Sequence, residues 1–127
     1  MVSSCLSAPK VKEMFILQPE PIKQFDSILY AFEMTESNQR EDAVNPSGAV
    51  GVLQLMPIMV DEANRICRIT GNPSRFTYSD RLDSVKSVRM WYITNAYHNP
   101  NYTVEGAVKL WNSRGGEKYI NKIKSWL

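Results

Sequence analysis

Metal-ligating side chains are scarce in this chain: one histidine, His98, and two cysteines, Cys5 and Cys67. No spacing among them resembles a zinc site, so neither a structural metal nor a cofactor is expected. Nothing pairs the two cysteines, and a free, buried Cys67 is expected instead of a bridge. An excess of one charge is lacking as well. Fifteen basic against thirteen acidic residues leave a formal charge of +2, too small to point to nucleic acid. Lys118, Lys122 and Lys124 are read as the solvated face of a helix. No apolar run is long enough to span a membrane. There is no period-two alternation to mark a strand, no internal repeat, and no charged-then-apolar start of the kind a signal peptide needs.

The 43% of hydrophobic residues suffices for an ordinary core, and 127 residues suit one domain. Residues 1–20 read as a tail and a short helix, the helix covering about Lys10 to Gln18 before Pro19 and Pro21, and 21–127 as the folded domain. Val2-Ser3-Ser4-Cys5 resembles the residues around a lipid-modified bacterial cysteine, but no apolar segment precedes it. Helices are expected from Pro21 to Ser37, from Pro57 to Thr70 with Gly71 closing it, and from an Asp80 cap to Tyr97. A short helix capped by Thr103 and a last one through Tyr119, Ile120, Ile123, Trp126 and Leu127 complete a mostly α domain of five or six helices. Buried faces are expected at Val60, Ala63, Ile66 and Cys67, at Leu82, Val85, Val88 and Tyr92, and at Val104, Ala107, Val108 and Trp111.

The chemistry concentrates between Glu36 and Pro57. Ile22, Phe25, Leu29, Phe32 and Glu36 follow steps of three, four, three and four, so Glu36 continues the apolar stripe of one helix. A carboxylate on that face loses hydration, and its pKa rises. The negative end of the helix dipole pushes the same way. A carboxylic acid still protonated near neutral pH can give a proton to a leaving oxygen. The alternative is that the stripe ends at Thr35 and Glu36 is solvated. Asn45-Pro46-Ser47-Gly48 is a tight-turn signature, and Gly51 adds a second permissive point, suggesting backbone that either approaches a ligand or merely reverses direction. Gln54 stands alone among apolar neighbours, either a satisfied core amide or a ligand contact.

These residues resemble the lytic transglycosylase domain related to goose-type lysozyme. Glu36-Ser37 is similar to that family's Glu-Ser pair, with Ala43, Val44, Gly48, Ala49 and Gly51 at the family's spacing after it. Gly51-Val52-Leu53-Gln54 resembles its Gly-Leu-Met-Gln element, followed by Leu55-Met56-Pro57. Leu110-Trp111-Asn112 resembles its Ala-Tyr-Asn motif and Tyr119-Ile120 its later Tyr-Val pair. The resemblance covers about residues 22 to 125. Gln39 stands where the family usually has phenylalanine, Asn45 where it has serine, Trp111 where it has tyrosine, and Ser113-Arg114 where it has Ala-Gly.

The resemblance implies a lysozyme-like helical fold with a cleft. It also implies cleavage of the β-1,4 bond between N-acetylmuramic acid and N-acetylglucosamine in peptidoglycan, ending in a 1,6-anhydro sugar. Glu36 is then the acid and afterwards the base. Ser37 is expected to orient Glu36 or to cap the helix end. Gln54 and Asn112 are expected to hold N-acetyl or hydroxyl groups, and Tyr119 to contact the N-acetyl region or Glu36 unless it is a core tyrosine. Trp111 and Tyr102 are candidate apolar faces for sugar rings, core packing being the other role of Trp111, and Met56 is expected on the cleft floor. The partners expected are peptidoglycan glycan strands, cut by a monomer in the cell envelope, periplasm or extracellular space. Two other functions stay open: a lysozyme-like hydrolase in which Glu41 or Asp42 activates water, and a non-catalytic peptidoglycan-binding or assembly module.

Overall fold

Proline placement and capping chemistry divide the chain into helices. The structure, a computed structural model, describes the backbone of residues 19–127 and the side chains of residues 26–127. The tail and short helix expected over residues 1–18, Cys5 included, lie outside the described residues. Helix α1 spans Pro19–Ser37, α2 Pro57–Thr70, α3 Ser84–His98, α4 Val104–Trp111 and α5 Gly116–Lys124, with a 3-10 turn at Tyr78–Leu82 before α3. The described residues contain no strand, only isolated bridges pairing Val44 with Val50 and Val50 with Leu55.

Local signals account for most of the boundaries. Pro57 occupies the first turn of α2, where its missing N–H leaves no bond unmade, and Gly71 closes the helix at φ 75°. The Thr103 hydroxyl accepts the Gly106 N–H and starts α4. Helix α1 begins at Pro19, ahead of the expected Pro21, and ends where Asn38 and Gln39 take positive φ. The expected helix from Asp80 is in fact two elements. Asp80 joins Thr77 in a capping box on the 3-10 turn, and Asp83 caps α3 by accepting the Lys86 N–H.

That break also moves the buried face of α3. Leu82 and Val85, expected inside, are 47% and 73% exposed, whereas Ser87, Met90, Trp91, Thr94 and Asn95 are buried. Thr94 and Asn95 return hydrogen bonds to the Met90 and Trp91 carbonyls, so their polar groups enter the core satisfied. The face of α2, by contrast, is the expected Val60, Ala63, Ile66 and Cys67, with Cys67 a free thiol. On α5, Ile123 is buried and Tyr119 and Ile120 pack on the core, while Trp126 and Leu127 stay exposed past the helix end.

Helix α2 packs on α3, α3 on α4, α4 on α5 and α5 on α1. Phe32 of α1 is fully buried among Leu53, Met90, Trp91 and Ala107. Its ring meets Trp91, Trp111 and Tyr119 edge-on, at centroid distances of 5.6, 6.4 and 6.3 Å. Such contacts add about 0.5–1.5 kcal/mol each beyond burial. The segment 43–56, between α1 and α2, contributes Val52, Leu53 and Leu55 to the same core.

Candidate active site

Glu36 lies one helical turn beyond Phe32, on the same face of α1. Tyr119 packs its ring against Phe32, and this brings its hydroxyl to Glu36, where it donates to Oε2. Among the described residues no hydrogen bond engages the other carboxylate oxygen, Oε1. The side chain is half-buried. Burial raises the Glu36 pKa above the ordinary carboxylate value, and the phenol's hydrogen bond opposes that rise without cancelling it. Tyr119 is itself held firmly protonated by burial and then by the nearby carboxylate. The pair is thus a carboxyl group biased towards its acid form and steadied by a neutral donor.

Asn112 and Tyr119 flank Gly115. A Cβ at Gly115 would lie 2.5 Å from Tyr119 Cβ and 3.0 Å from Asn112 Nδ2, so the glycine lets the end of α4 and the start of α5 close together. The sequence departure at Trp111 acquires a role here. Its indole N–H donates to the Leu53 carbonyl at 3.0 Å, and its half-buried ring completes the aromatic group around Phe32.

The other expected site residues make their own contacts. Ser37 is 5% exposed, and its hydroxyl donates to the Val52 carbonyl at 2.7 Å while accepting the Arg40 N–H. It ties the end of α1 to the 43–56 segment and, with its bonds to the Glu33 carbonyl and the Arg40 N–H, takes the helix-end role of the two expected for it. Gln54 takes φ 49°, and its Nε2 donates to the Ala43 and Gly51 carbonyls at 3.1 and 2.9 Å, leaving its amide oxygen for other work. Met56 is 38% exposed and lies against Gly48. Tyr102, at φ 58°, packs on the core in the corner between α3 and α4.

The turn at 45–48 forms as its sequence suggests, with the Gly48 N–H bonding the Asn45 carbonyl and the Asn45 side chain accepting the Ser47 N–H. Gly51 lets the segment pack closely on the Arg81 backbone. At φ 88°, a Cβ there would sit 1.9 Å from the Arg81 carbonyl oxygen. Nearby acids are engaged as well. Glu41 accepts the Ser84 N–H at the start of α3, which lowers its pKa, and Glu33 accepts from Gln39 Nε2. Sequence reasoning gave no role to Arg81, which sits on no apolar stripe and in no turn motif, or to the buried side chain of Asn99, which bonds Thr103 at the α3–α4 corner.

Residues 22–112 match the profile of the Transglycosylase SLT domain family. The chain belongs to that family. The five helices of the described residues are accordingly the lysozyme-like helical fold, the chain's role is that of a lytic transglycosylase family member, and the family's substrate is the peptidoglycan of the cell envelope. Comparison with curated proteins and with solved structures found no match. No helix among the described residues is long and apolar enough to cross a membrane.

Proposed function

We propose that this protein cuts the β-1,4 bond between N-acetylmuramic acid and N-acetylglucosamine in glycan strands, with Glu36 as the sole acid and base. The observation that carries the reading is the half-buried carboxyl with a raised pKa, hydrogen-bonded by Tyr119 and open at Oε1. Protonated Glu36 gives its proton to the glycosidic oxygen as the C1–O bond breaks. The substrate's own N-acetyl group steadies the positive charge that develops at C1. The Glu36 carboxylate then takes the proton of the muramyl C6 hydroxyl, and O6 bonds to C1. Glu36 ends protonated, no water is consumed, and the product carries a 1,6-anhydro ring, which makes the reaction a lyase reaction.

The surroundings of Glu36 favour this over hydrolysis by a carboxylate pair. A retaining pair stands about 5 Å apart, and so close a second charge would itself push the pKa up. Burial does so here, with no acid among the described residues contributing. Of the two acids that could activate a water, Glu41 and Asp42, Glu41 already accepts the Ser84 N–H. In this reading Asn112 and the Gln54 amide oxygen hold N-acetyl and hydroxyl groups of the strand, a role supported by the amide oxygen that Gln54 keeps free of its two Nε2 bonds. Met56, Tyr102 and Trp111 offer apolar contact to sugar rings. A cell-wall suspension tests the proposal: wild type clears it, and Glu36→Gln leaves it turbid. Equal clearing by both would remove Glu36 from the chemistry.

A further inference from the structure

The segment 43–56 reaches from Glu36's helix to α2 and pairs part of its own backbone: Val50 and Leu55 exchange both N–H···O bonds, and the Gly51 N–H bonds the Ala43 carbonyl. Several of its carbonyls also accept from side chains, some on the elements around it and one, Gln54, its own. Ser37 bonds the carbonyl of Val52, Trp111 that of Leu53, and Gln54 those of Ala43 and Gly51. Arg81 adds two more from outside the segment. Its Nη1 donates to the Gly48 carbonyl at 2.9 Å and to the Leu55 carbonyl at 3.0 Å, while Nε donates to Tyr78 within its own turn at 2.8 Å. One guanidinium therefore joins the tip of the 45–48 turn to the exit of the segment, 33 and 26 residues away in the chain.

Arg81 is itself well anchored. Ser87 of α3 donates to its carbonyl at 2.9 Å, and Gly51 packs against that same oxygen. The Arg81 guanidinium lies 6.0 Å from the centre of the Tyr78 ring, whose hydroxyl bonds Asp61 of α2 at 2.9 Å. The 3-10 turn is thus fixed to α2 and α3, and Arg81 passes that rigidity to the segment carrying Gln54 and Met56.

We infer that Arg81 is a positioning residue: it sets the place of the 43–56 segment as one wall of the glycan cleft and touches neither substrate nor Glu36. The inference rests on the reading of that segment as the cleft wall. Lysine keeps the charge but loses the Nε donor that holds the group to the Tyr78 carbonyl and the rigid guanidinium plane that aims Nη1 at both segment carbonyls, and alanine removes every one of these bonds.

The test compares wild type with Arg81→Lys and Arg81→Ala in two measurements. Amide hydrogen exchange should quicken about tenfold or more at Val50 and Leu55 in both variants, while Ala63 and Trp91 in the core keep wild-type rates. On a soluble glycan strand, kcat/KM should fall about tenfold, mainly through KM, with the pH at which the rate falls off unmoved. Unchanged exchange at Val50 and Leu55 overturns the inference, as does acceleration spread evenly through the core, the mark of general destabilisation. A loss confined to kcat, or a moved pH limb, overturns it too. If wild type turns over no glycan, the proposed reaction fails, and the exchange measurement alone decides the role of Arg81.

Discussion

Two forces act on the Glu36 carboxyl in opposite senses: burial favours its neutral form and the Tyr119 phenol its charged one. Burial wins, so the proposed reaction should slow as pH rises through a midpoint above the roughly 4.3 of a free glutamate. Tyr119→Phe removes the opposing donor, and the high-pH limb should therefore move further up. A pH–rate profile whose limb stays put or moves down in that variant would contradict the account. The same shift bears on stability. A carboxyl whose pKa is raised by folding contributes stability that is complete below its unfolded pKa and lost as pH rises through the folded one. Glu36→Gln should consequently gain melting temperature over wild type as pH goes from 4 to 7, with the difference smallest at the acid end. Glu36 was legible in the sequence because its step from Phe32 continued a stripe. Ser37 was not, since nothing in a Glu-Ser pair says that the hydroxyl turns to a carbonyl 15 residues on.

Among the elements, the 43–56 segment is the one whose order depends on distant side chains. Ser37→Ala strands the buried Val52 carbonyl, a loss of about 1–3 kcal/mol measurable by denaturant unfolding. Gly51→Ala combines a positive φ with a clash on backbone, and should destabilise by at least about 1–3 kcal/mol. A neutral Gly51→Ala would refute the close packing of this segment on Arg81. The helices around it were readable wherever a proline, a glycine or a capping hydroxyl marked an end, as at Pro57, Gly71 and Thr103. Helix α3 was not, for two reasons. Both Asp80 and Asp83 are competent caps, and the face it buries carries Ser87, Thr94 and Asn95, which periodicity counts as outward. The tethers from Arg81 were equally hidden, because an arginine bonding carbonyls 26 and 33 residues back leaves no local pattern.

For the molecule as a whole, Phe32 links stability to the proposed chemistry. It is fully buried, and it carries the rings of Trp91, Trp111 and Tyr119. Phe32→Ala should cost about 3–5 kcal/mol and loosen Tyr119 from Glu36 at the same time. The helical architecture follows from composition and caps, but the meeting of α1 with α5, which creates the Glu36–Tyr119 pair, is a long-range event 83 residues apart. Family membership over residues 22–112 ends before Tyr119, so that pairing rests on the geometry of this chain. The most direct measurement is mass spectrometry of muropeptides released from purified peptidoglycan by wild type and by Glu36→Gln. The account predicts 1,6-anhydromuramyl ends, one water lighter than reducing ends, from wild type and none from the variant. Reducing ends from wild type, or anhydro ends from Glu36→Gln, would contradict it.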